Sequence, residues 1–247
     1  MSRSISRYAA PMRRQRFGSL DALVADARPA PGPGPAGGAG PVCVLMHGFG
    51  APGDDLAPLA DELAVPDWRW VFPAAPLELG GLYGDARAWW HLDLARLERE
   101  LAHGPTDRAA EIPPGLADAR AQVIAALDAI ALAMPGAPIV LGGFSQGAML
   151  ALDVALHDPR PLAGLILLSG TFIAESEWGP RFASRAGLRV LQSHGRRDGL
   201  LPFAAAERLR ARMTAAGLDV RWLPFDGAHE IPPSVLAGMT GFLAATR

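Results

Sequence analysis

The sequence predicts an α/β protein in which helices cover both faces of a mostly parallel central sheet. Short apolar segments alternate along the chain with segments of helical periodicity, and most of the short segments are apolar at every position. A strand without a polar face is typical of a parallel sheet that is buried on both sides. One such strand leads directly into a glycine-flanked turn around Ser145, where a helix is predicted to begin.

The composition fits a protein with one large apolar core and a net charge close to zero. The chain has 247 residues, half of them apolar, and a formal net charge of −2. Because nucleic-acid-binding domains usually carry a basic surface, this balance argues against nucleic acid as a partner. The single cysteine, Cys43, lies in an apolar segment, and we predict a buried, inert thiol there.

We divide the chain into an N-terminal segment, residues 1–41, and a single α/β domain, residues 42–247. The segment has five arginines between Arg3 and Arg16 but lacks the apolar core of a secretory signal, so we predict a cytoplasmic protein. These arginines belong either to a solvated terminus or to a site for an anionic surface. Residues 17–28 fit an edge strand or a short helix, and the proline- and glycine-rich residues 29–41 fit a partly flexible loop.

The domain begins with a strand, Val42–Met46, that ends in the sequence His-Gly-Phe-Gly. A helix is predicted next, with Asp54 or Asp55 as its N-cap. Its apolar face comprises Leu56, Leu59, Ala60 and Leu63. The strand Arg69–Phe72 follows, and strand, helix and strand in short order predict a right-handed crossover between parallel strands.

Residues 74–113 are predicted to form a lid-like insertion. The segment is long, carries mixed charge, and shows helical spacing only around Leu92–Leu101. Long insertions inside a compact domain usually form lids or binding loops. The paired Trp89 and Trp90 are predicted to contact substrate, with a place in the core of the lid as the alternative.

The rest of the chain continues the alternation of strands and helices. A helix from Leu116 to Met134 precedes the strand that leads to Ser145. Further strands are predicted at Ala163–Leu168, Leu188–Gln192 and Val220–Phe225, with helices around Leu209 and Met213 and from Val235 to Leu243.

Ser145 is the candidate nucleophile. It stands in a G-x-S-x-G sequence between the apolar strand and a helix, where the serine adopts a strained backbone conformation that exposes its hydroxyl. The flanking Gly143 and Gly147 are expected to be required because a side chain there would collide with the strand or the helix.

A serine hydroxyl needs a base, and the base needs a carboxylate to orient it. His229 lies between the last strand and the closing helix, where a loop brings its imidazole over the turn. Asp198 follows the neighbouring strand, so that Ser145, Asp198 and His229 occur in the chain order of an α/β-hydrolase triad. Asp226 is the alternative acid, but it lies only three residues before His229 and would need an awkward local turn to reach the ring.

An oxyanion requires two N–H donors near the serine. The backbone amide of Gln146, at the start of the helix, is the first. The second is predicted from the loop after Val42–Met46, with Phe49 preferred and Gly50 as the alternative.

The remaining histidines are assigned no catalytic role. His47 and His194 are predicted to make structural hydrogen bonds, and the other three have no ligand spacing with one another or with Cys43. We therefore predict neither a metal nor a cofactor.

These motifs together resemble the phospholipase/carboxylesterase family of α/β-hydrolases, which includes bacterial carboxylesterases and acyl-protein thioesterases. The resemblance runs from Val42 to the C-terminus through LMHGFGAPGDD, FPAAPLEL, ARAWW, GGFSQGAM, SHGRRD and FDGAHEIP. It implies an α/β-hydrolase fold and cofactor-free hydrolysis of carboxylic esters by a Ser-Asp-His triad. By motif, the resemblance implies Ser145 as the nucleophile, Asp198 as the acid and His229 as the base. It also implies Phe49 and Gln146 as the oxyanion donors and Trp89 as a lid residue near the substrate.

We therefore predict a serine hydrolase that takes a small-molecule ester through an acyl-enzyme, without stable membrane insertion. The oligomeric state is left open, a dimer included. A thioesterase or lysophospholipase acting on longer acyl groups is the alternative within the enzymes. Because a fold does not define a function, a non-catalytic ligand-binding protein with the same fold is the alternative from another class. The lid departs from the thioesterase members of the family, so no acyl-protein substrate is predicted.

Overall fold

The structure is a computed structural model that describes residues 12–28, 40–63, 65–81 and 84–246. Its strands are β1 (Met12–Phe17), β2 (Leu20–Ala25), β3 (Val42–Met46), β4 (Arg69–Pro73), β5 (Leu77–Glu78), β6 (Arg87–Ala88), β7 (Ile139–Phe144), β8 (Gly164–Leu168), β9 (Arg189–Gly195) and β10 (Asp219–Phe225). Its α-helices are α1 (Leu59–Glu62), α2 (Leu94–His103), α3 (Leu116–Ala133), α4 (Gln146–His157), α5 (Glu175–Trp178), α6 (Phe203–Ala215) and α7 (Pro233–Ala244), and a 3₁₀ helix covers Gly179–Arg185.

The core of the fold is an eight-stranded sheet with the order β1-β2-β4-β3-β7-β8-β9-β10. From β4 to β10 all neighbours pair in parallel, whereas β2 pairs antiparallel with both β4 and β1. The predicted mostly parallel sheet is confirmed. The parallel strands direct their carboxyl ends to one edge, which is where ligands bind in such sheets.

Helices cover both faces of the sheet, as the apolar strands predict. In β3, alternate residues face opposite sides: Val42, Val44 and Met46 pack with buried residues of α3, α4 and α6. Cys43 and Leu45 pack with buried residues of α1 and α7. The predicted burial of Cys43 is confirmed, and this burial raises the pKa of its thiol. Edge strand β10 departs from the all-apolar pattern, since all but its last residue are partly or fully exposed.

Residues 17–28, which fit either a strand or a short helix by sequence, contribute a strand. β1 and β2 form a hairpin in which Phe17 lies opposite Leu20, and Gly18 takes a φ of 57° in the turn. The exposed edge strand carries charged side chains, among them Arg16, which pairs with Asp21 at 2.9 Å. Charged side chains on an edge discourage pairing with another strand. The predictions for residues 1–11 and 29–39 concern parts of the chain outside the described residues.

The predicted helix start at Asp54 or Asp55 is wrong. α1 begins only after Pro58, and the residues before it form consecutive turns in which amides bond to carbonyls three residues earlier, such as Ala57 to Asp54 at 3.0 Å. Pro58 has no amide hydrogen to donate to a preceding carbonyl, so a regular helix cannot run through it with all its bonds. The four apolar residues predicted for this helix are nevertheless buried together.

The insertion at residues 74–113 consists of the β5–β6 ribbon and helix α2. Helix α5 and the 3₁₀ helix were not predicted from the sequence, and their Trp178 and Phe182 are buried against Phe172. None of the described helices is long and apolar enough to cross a membrane. The division at residue 42 and the cytoplasmic location stay predictions.

Candidate active site

Ser145 occupies a strained turn between β7 and α4. Its φ is 54° and its ψ is −117°, a conformation that residues other than glycine rarely adopt. Such a residue costs about 1–3 kcal/mol and persists only where its surroundings hold it. Its amide donates to the carbonyl of Leu168 on β8 at 2.8 Å, and its own carbonyl accepts from the amides of Ala148 and Met149. The turn is therefore fixed by both the sheet and the helix.

The glycines that flank Ser145 allow this turn to pack. A Cβ on Gly143 would lie 2.5 Å from the carbonyl oxygen of Met46, and one on Gly147 would lie 2.1 Å from the same atom. These distances are far below van der Waals contact, so any side chain would force the helix away from β3. The predicted steric need for both glycines is confirmed.

Asp198 and His229 form a hydrogen-bonded pair beside this turn. His229 Nδ1 lies 2.7 Å from Asp198 Oδ2, and Asp198 Oδ1 accepts from the amides of Leu200 and Leu201 at 2.8 and 2.9 Å. Burial alone would raise the pKa of Asp198, but these hydrogen bonds and the nearby imidazole hold it below its ordinary value. The carboxylate is thus ionised and fixes the His229 tautomer with a proton on Nδ1.

Asp226, the competing acid, lies elsewhere. Its exposed carboxylate pairs with the guanidinium of Arg197, which also donates to the Asp226 carbonyl at 3.3 Å. The structure therefore brings Asp198 to the imidazole, and Asp226 makes a surface ion pair instead.

Ser145 and His229 line the same cavity, and the His229 ring lies 4.7 Å from the ring of Phe144. In the described part of the chain, the Ser145 hydroxyl makes no hydrogen bond with either ring nitrogen. Hydrogen bonds between a nucleophile and its base are often long without substrate and shorten in the substrate complex.

The two buried histidines, His47 and His194, make structural contacts, as predicted. His47 Nδ1 lies 2.8 Å from the carbonyl of Gly48, and its Nε2 accepts from the amide of Ala75 at 3.0 Å. Burial lowers the pKa of His47 to about 4, so the ring is neutral. His194 Nε2 lies 3.0 Å from the carbonyl of Leu201, in the loop that presents Asp198, and burial lowers its pKa also.

The two loops predicted to supply oxyanion donors meet at the cavity, which Phe49 and Gln146 both line. Gln146 is the first residue of α4, and the first amides of a helix have no acceptor within it. The alternative donor Gly50 is already engaged, because its amide donates to the carbonyl of Arg87 at 2.9 Å. Phe49 is therefore better placed than Gly50 to donate to a ligand.

Trp89 and Trp90 belong to the core, and of the two Trp90 lines the cavity. The Trp89 indole donates to the carbonyl of His47 at 2.9 Å. The Gln146 side chain accepts from the amide of Trp89 at 2.9 Å and donates to the carbonyl of Trp90 at 2.9 Å. The sequence did not reveal this role of the Gln146 side chain, which ties the insertion to α4.

The cavity has a volume of about 560 Å³ and a largely apolar wall. Phe49 lines it from the loop after β3, Trp90 and Leu97 line it from the insertion, Met149 lines it from α4, and Ile173 lines it from the segment after β8. Neither Met149 nor Ile173 was predicted from the sequence as part of the site. Met149 lies one helical turn after Ser145 and Ile173 follows β8, so their positions relative to the turn were the available signals.

An ion-pair network lies where the insertion meets the cavity. The Arg96 guanidinium donates to both carboxylate oxygens of Glu111, at 2.9 and 2.7 Å, and to Glu100 at 2.9 Å. Burial would raise the pKa of Glu100, but hydrogen bonds from Thr106, Arg108 and Arg96 hold it below its ordinary value. The network ties α2 to the segment that follows it.

Among the described residues, Asp153, His157 and Glu177 are close enough together to suggest a metal site. Arg120, however, lies 3.0 Å from the Asp153 carboxylate and 3.7 Å from that of Glu177, and the Trp178 indole donates to Asp153 at 2.8 Å. These carboxylates are thus already paired with a cation and a donor. The cluster fits a structural ion pair between α3, α4 and α5 better than a metal centre.

A serine on a strained turn between a parallel strand and a helix, with a buried aspartate bonded to a partly buried histidine at the ends of neighbouring strands, is typical of an α/β-hydrolase. The phospholipase/carboxylesterase family model matches residues 35–247, and the chain belongs to that family. The chain is an ester hydrolase with an α/β-hydrolase fold.

Named relatives agree with this assignment. The chain is 29% identical over 218 residues to acyl-protein thioesterase 1 of Eremothecium gossypii, covering 82% of this chain and 86% of the relative. It is 27% identical over 205 residues to a probable carboxylesterase of Oryza sativa subsp. japonica, covering 80% and 74%. The crystal structure of esterase PE8 superimposes with a TM-score of 0.72 at 29% identity, covering 90% of this chain and 100% of that one. The Bacillus cereus carboxylesterase, at 17% identity, shares the fold with a TM-score of 0.69 over 92% and 95% of the two chains.

Proposed function

We propose that the chain hydrolyses small carboxylic esters by acyl transfer through Ser145, with His229 as the base and Asp198 as the orienting acid. The observation that carries this proposal is the 2.7 Å hydrogen bond between Asp198 and His229 at the cavity that Ser145 lines. A buried carboxylate bound to Nδ1 leaves Nε2 as the basic nitrogen of the ring. No metal or cofactor takes part in the proposed reaction.

In the first step, Ser145 Oγ attacks the ester carbonyl carbon while His229 Nε2 takes the hydroxyl proton. The imidazolium is stabilised by the Asp198 carboxylate, whose lowered pKa keeps it ionised. The tetrahedral intermediate collapses when the bond to the leaving oxygen breaks and His229 returns the proton to that oxygen. The alcohol leaves, and the acyl group stays on Ser145.

In the second step, a water molecule attacks the acyl-enzyme while His229 takes one of its protons. Collapse releases the carboxylic acid and returns the proton to Ser145 Oγ. The amides of Phe49 and Gln146 are the proposed donors to the oxyanion in both steps. The engaged Gly50 amide and the position of Gln146 at the start of α4, where an amide has no acceptor within the helix, support this choice.

The cavity supports an apolar acyl group as the substrate's main binding element, since burying apolar surface contributes about 25 cal/mol per Å². Trp90 is the proposed aromatic contact. A thioester is the second candidate, because the same acyl transfer applies to it and the relative in Eremothecium gossypii is named an acyl-protein thioesterase.

The test is labelling with a fluorophosphonate probe beside hydrolysis of p-nitrophenyl butanoate. We expect the wild-type protein to be labelled, and Ser145→Ala to lose the label and to lower kcat by about 10⁴-fold or more. Ser19→Ala, on the β1–β2 turn, is the matched control and should keep both. An unlabelled wild-type protein without turnover would favour a non-catalytic ligand-binding protein, and a labelled Ser145→Ala variant would reassign the nucleophile. A parallel thioester series shows which leaving group is preferred.

A further inference from the structure

Two spaces in the molecule meet at the side chains of Met149 and Thr171. One is the active-site cavity, which both residues line. The other is an inner void between α4, α6 and the strands β8 and β9, which both residues also line. The remaining walls of the inner void are mainly apolar, with Leu152 and Leu209 among them, and it has no room for a water molecule. Met149 and Thr171 thus form the partition between the two spaces.

Two of the residues that line the inner void each carry a buried polar atom with no hydrogen-bond partner among the described residues. These atoms are the hydroxyl oxygen of Thr171 and the side-chain carbonyl oxygen of Gln192, and both residues are 1% exposed. The Gln192 amide nitrogen donates to the carbonyl of Ala206 at 2.9 Å, so the orientation of the side chain is fixed. An unpaired buried polar group costs about 1–3 kcal/mol, and few native residues carry one without a reason.

A partner for these atoms has to come from the active-site cavity. Water does not fit the void as it stands, and an apolar neighbour would not pair with either oxygen. Met149 is the movable part of the partition, because an unbranched thioether side chain has three rotatable bonds and fills irregular gaps. Its amide bonds to the Ser145 carbonyl at 3.1 Å, which places Met149 one turn along the helix from Ser145.

We propose that Met149 is a gate to an acyl subsite in which Thr171 and Gln192 bind a hydroxyl group on the acyl chain. Thr171 donates its hydroxyl proton to the substrate oxygen, and Gln192 accepts the substrate's hydroxyl proton. The acyl chain is the part of the substrate that enters, since it stays bonded to Ser145 while the alcohol leaves. The proposed substrates are therefore esters of hydroxy acids, and this inference rests on the proposed function at Ser145.

The test compares p-nitrophenyl esters of ω-hydroxyalkanoic acids with alkanoates in which a methyl group replaces the hydroxyl, from four to twelve carbons. We expect the ratio of kcat/KM for each pair to pass through a maximum at one chain length. Thr171→Val, which keeps the shape without the hydroxyl, should lower that maximum by about tenfold or more, and Thr171→Ser should retain it. Using the ratio removes any loss of activity common to both substrates.

A second variant tests the gate. Met149→Ala should extend the preferred alkanoate by two or three methylenes, with about a fourfold gain in kcat/KM for each buried methylene. Leu132→Ala, at an exposed position of α3, is the control and should leave the chain-length profile as in the wild type.

The outcomes separate the two proposals. Alkanoate hydrolysis that depends on Ser145, combined with a flat ratio or with the same maximum in Thr171→Val, overturns the subsite and leaves the hydrolase intact. An unchanged profile in Met149→Ala overturns the gate. If no ester is hydrolysed through Ser145, the function itself fails.

Discussion

Replacing His47 with glutamine should remove part of the pH dependence of the protein's stability. The ring is 1% exposed and neutral, with Nδ1–H donating to Gly48 and Nε2 accepting from Ala75. Burial lowers its pKa to about 4, and the positive charge of Arg87 adds to this effect, while the Gly48 carbonyl and Asp54 oppose it. A glutamine amide can make the same two hydrogen bonds and does not titrate.

The size of the effect follows from linkage. The unfolded chain binds a proton at His47 near the ordinary pKa of 6.5, and the folded protein binds it near 4. Between these values the unfolded state holds more protons, so stability falls as the pH is lowered from 6.5 to 4. At about 1.4 kcal/mol per pH unit, His47 accounts for a loss of about 3 kcal/mol, most of it reached by about pH 4.5.

The assay is urea unfolding at several pH values between 7 and 4.5 for the wild type and His47→Gln. The wild type should lose about 2–3 kcal/mol more than the variant over this range, because other titrating groups are common to both proteins. His103→Gln, at an exposed position of α2, is the matched control and should follow the wild type. Parallel pH profiles for wild type and His47→Gln would refute the claim that His47 is held neutral by burial.

Three further predictions concern the site and the core. Asp198→Asn should lower kcat by about 10⁴-fold in an ester hydrolysis assay, whereas Asp226→Asn should leave it within about twofold, and the reverse order would reassign the acid. Gly147→Ala should lower the free energy of unfolding by more than about 4 kcal/mol, and Gly199→Ala, whose added Cβ would meet nothing within 4 Å, should change it by less than about 0.5. Cys43, fully buried with a raised thiol pKa, should react with a thiol reagent only after denaturation, and rapid labelling of the native protein would contradict its burial.

The sequence was sufficient for the features that depend on local pattern and chain order. The all-apolar central strands predict a parallel sheet that is buried on both faces. The turn at Ser145 is predicted by its own glycine pattern. Asp198 could be preferred over Asp226 from the sequence because Asp198 follows the neighbouring strand, whereas Asp226 lies only three residues before His229. The hydrogen bond between Asp198 and His229 agrees with that reasoning.

Other features depend on contacts between distant parts of the chain, and the sequence could not supply them. The start of α1 was placed too early because its apolar spacing resembles a helix, while Pro58 limits the regular hydrogen bonding. Trp89 was predicted to contact substrate or to lie in the core of the lid, and only the structure shows that its indole bonds to the carbonyl of His47, more than forty residues earlier. The unpaired oxygens of Thr171 and Gln192 become evident only when β8 and β9 lie side by side.

The attachment of the insertion to α4 matters for enzyme engineering. The Gln146 side chain hydrogen-bonds to the backbone of Trp89 and Trp90, and both indoles are buried. This part of the insertion therefore cannot be removed or exchanged as an independent unit. Loop grafting aimed at new substrates should therefore keep residues 86–90 and vary α2 and its flanks. Such a graft keeps the two hydrogen bonds from the Gln146 side chain to the insertion.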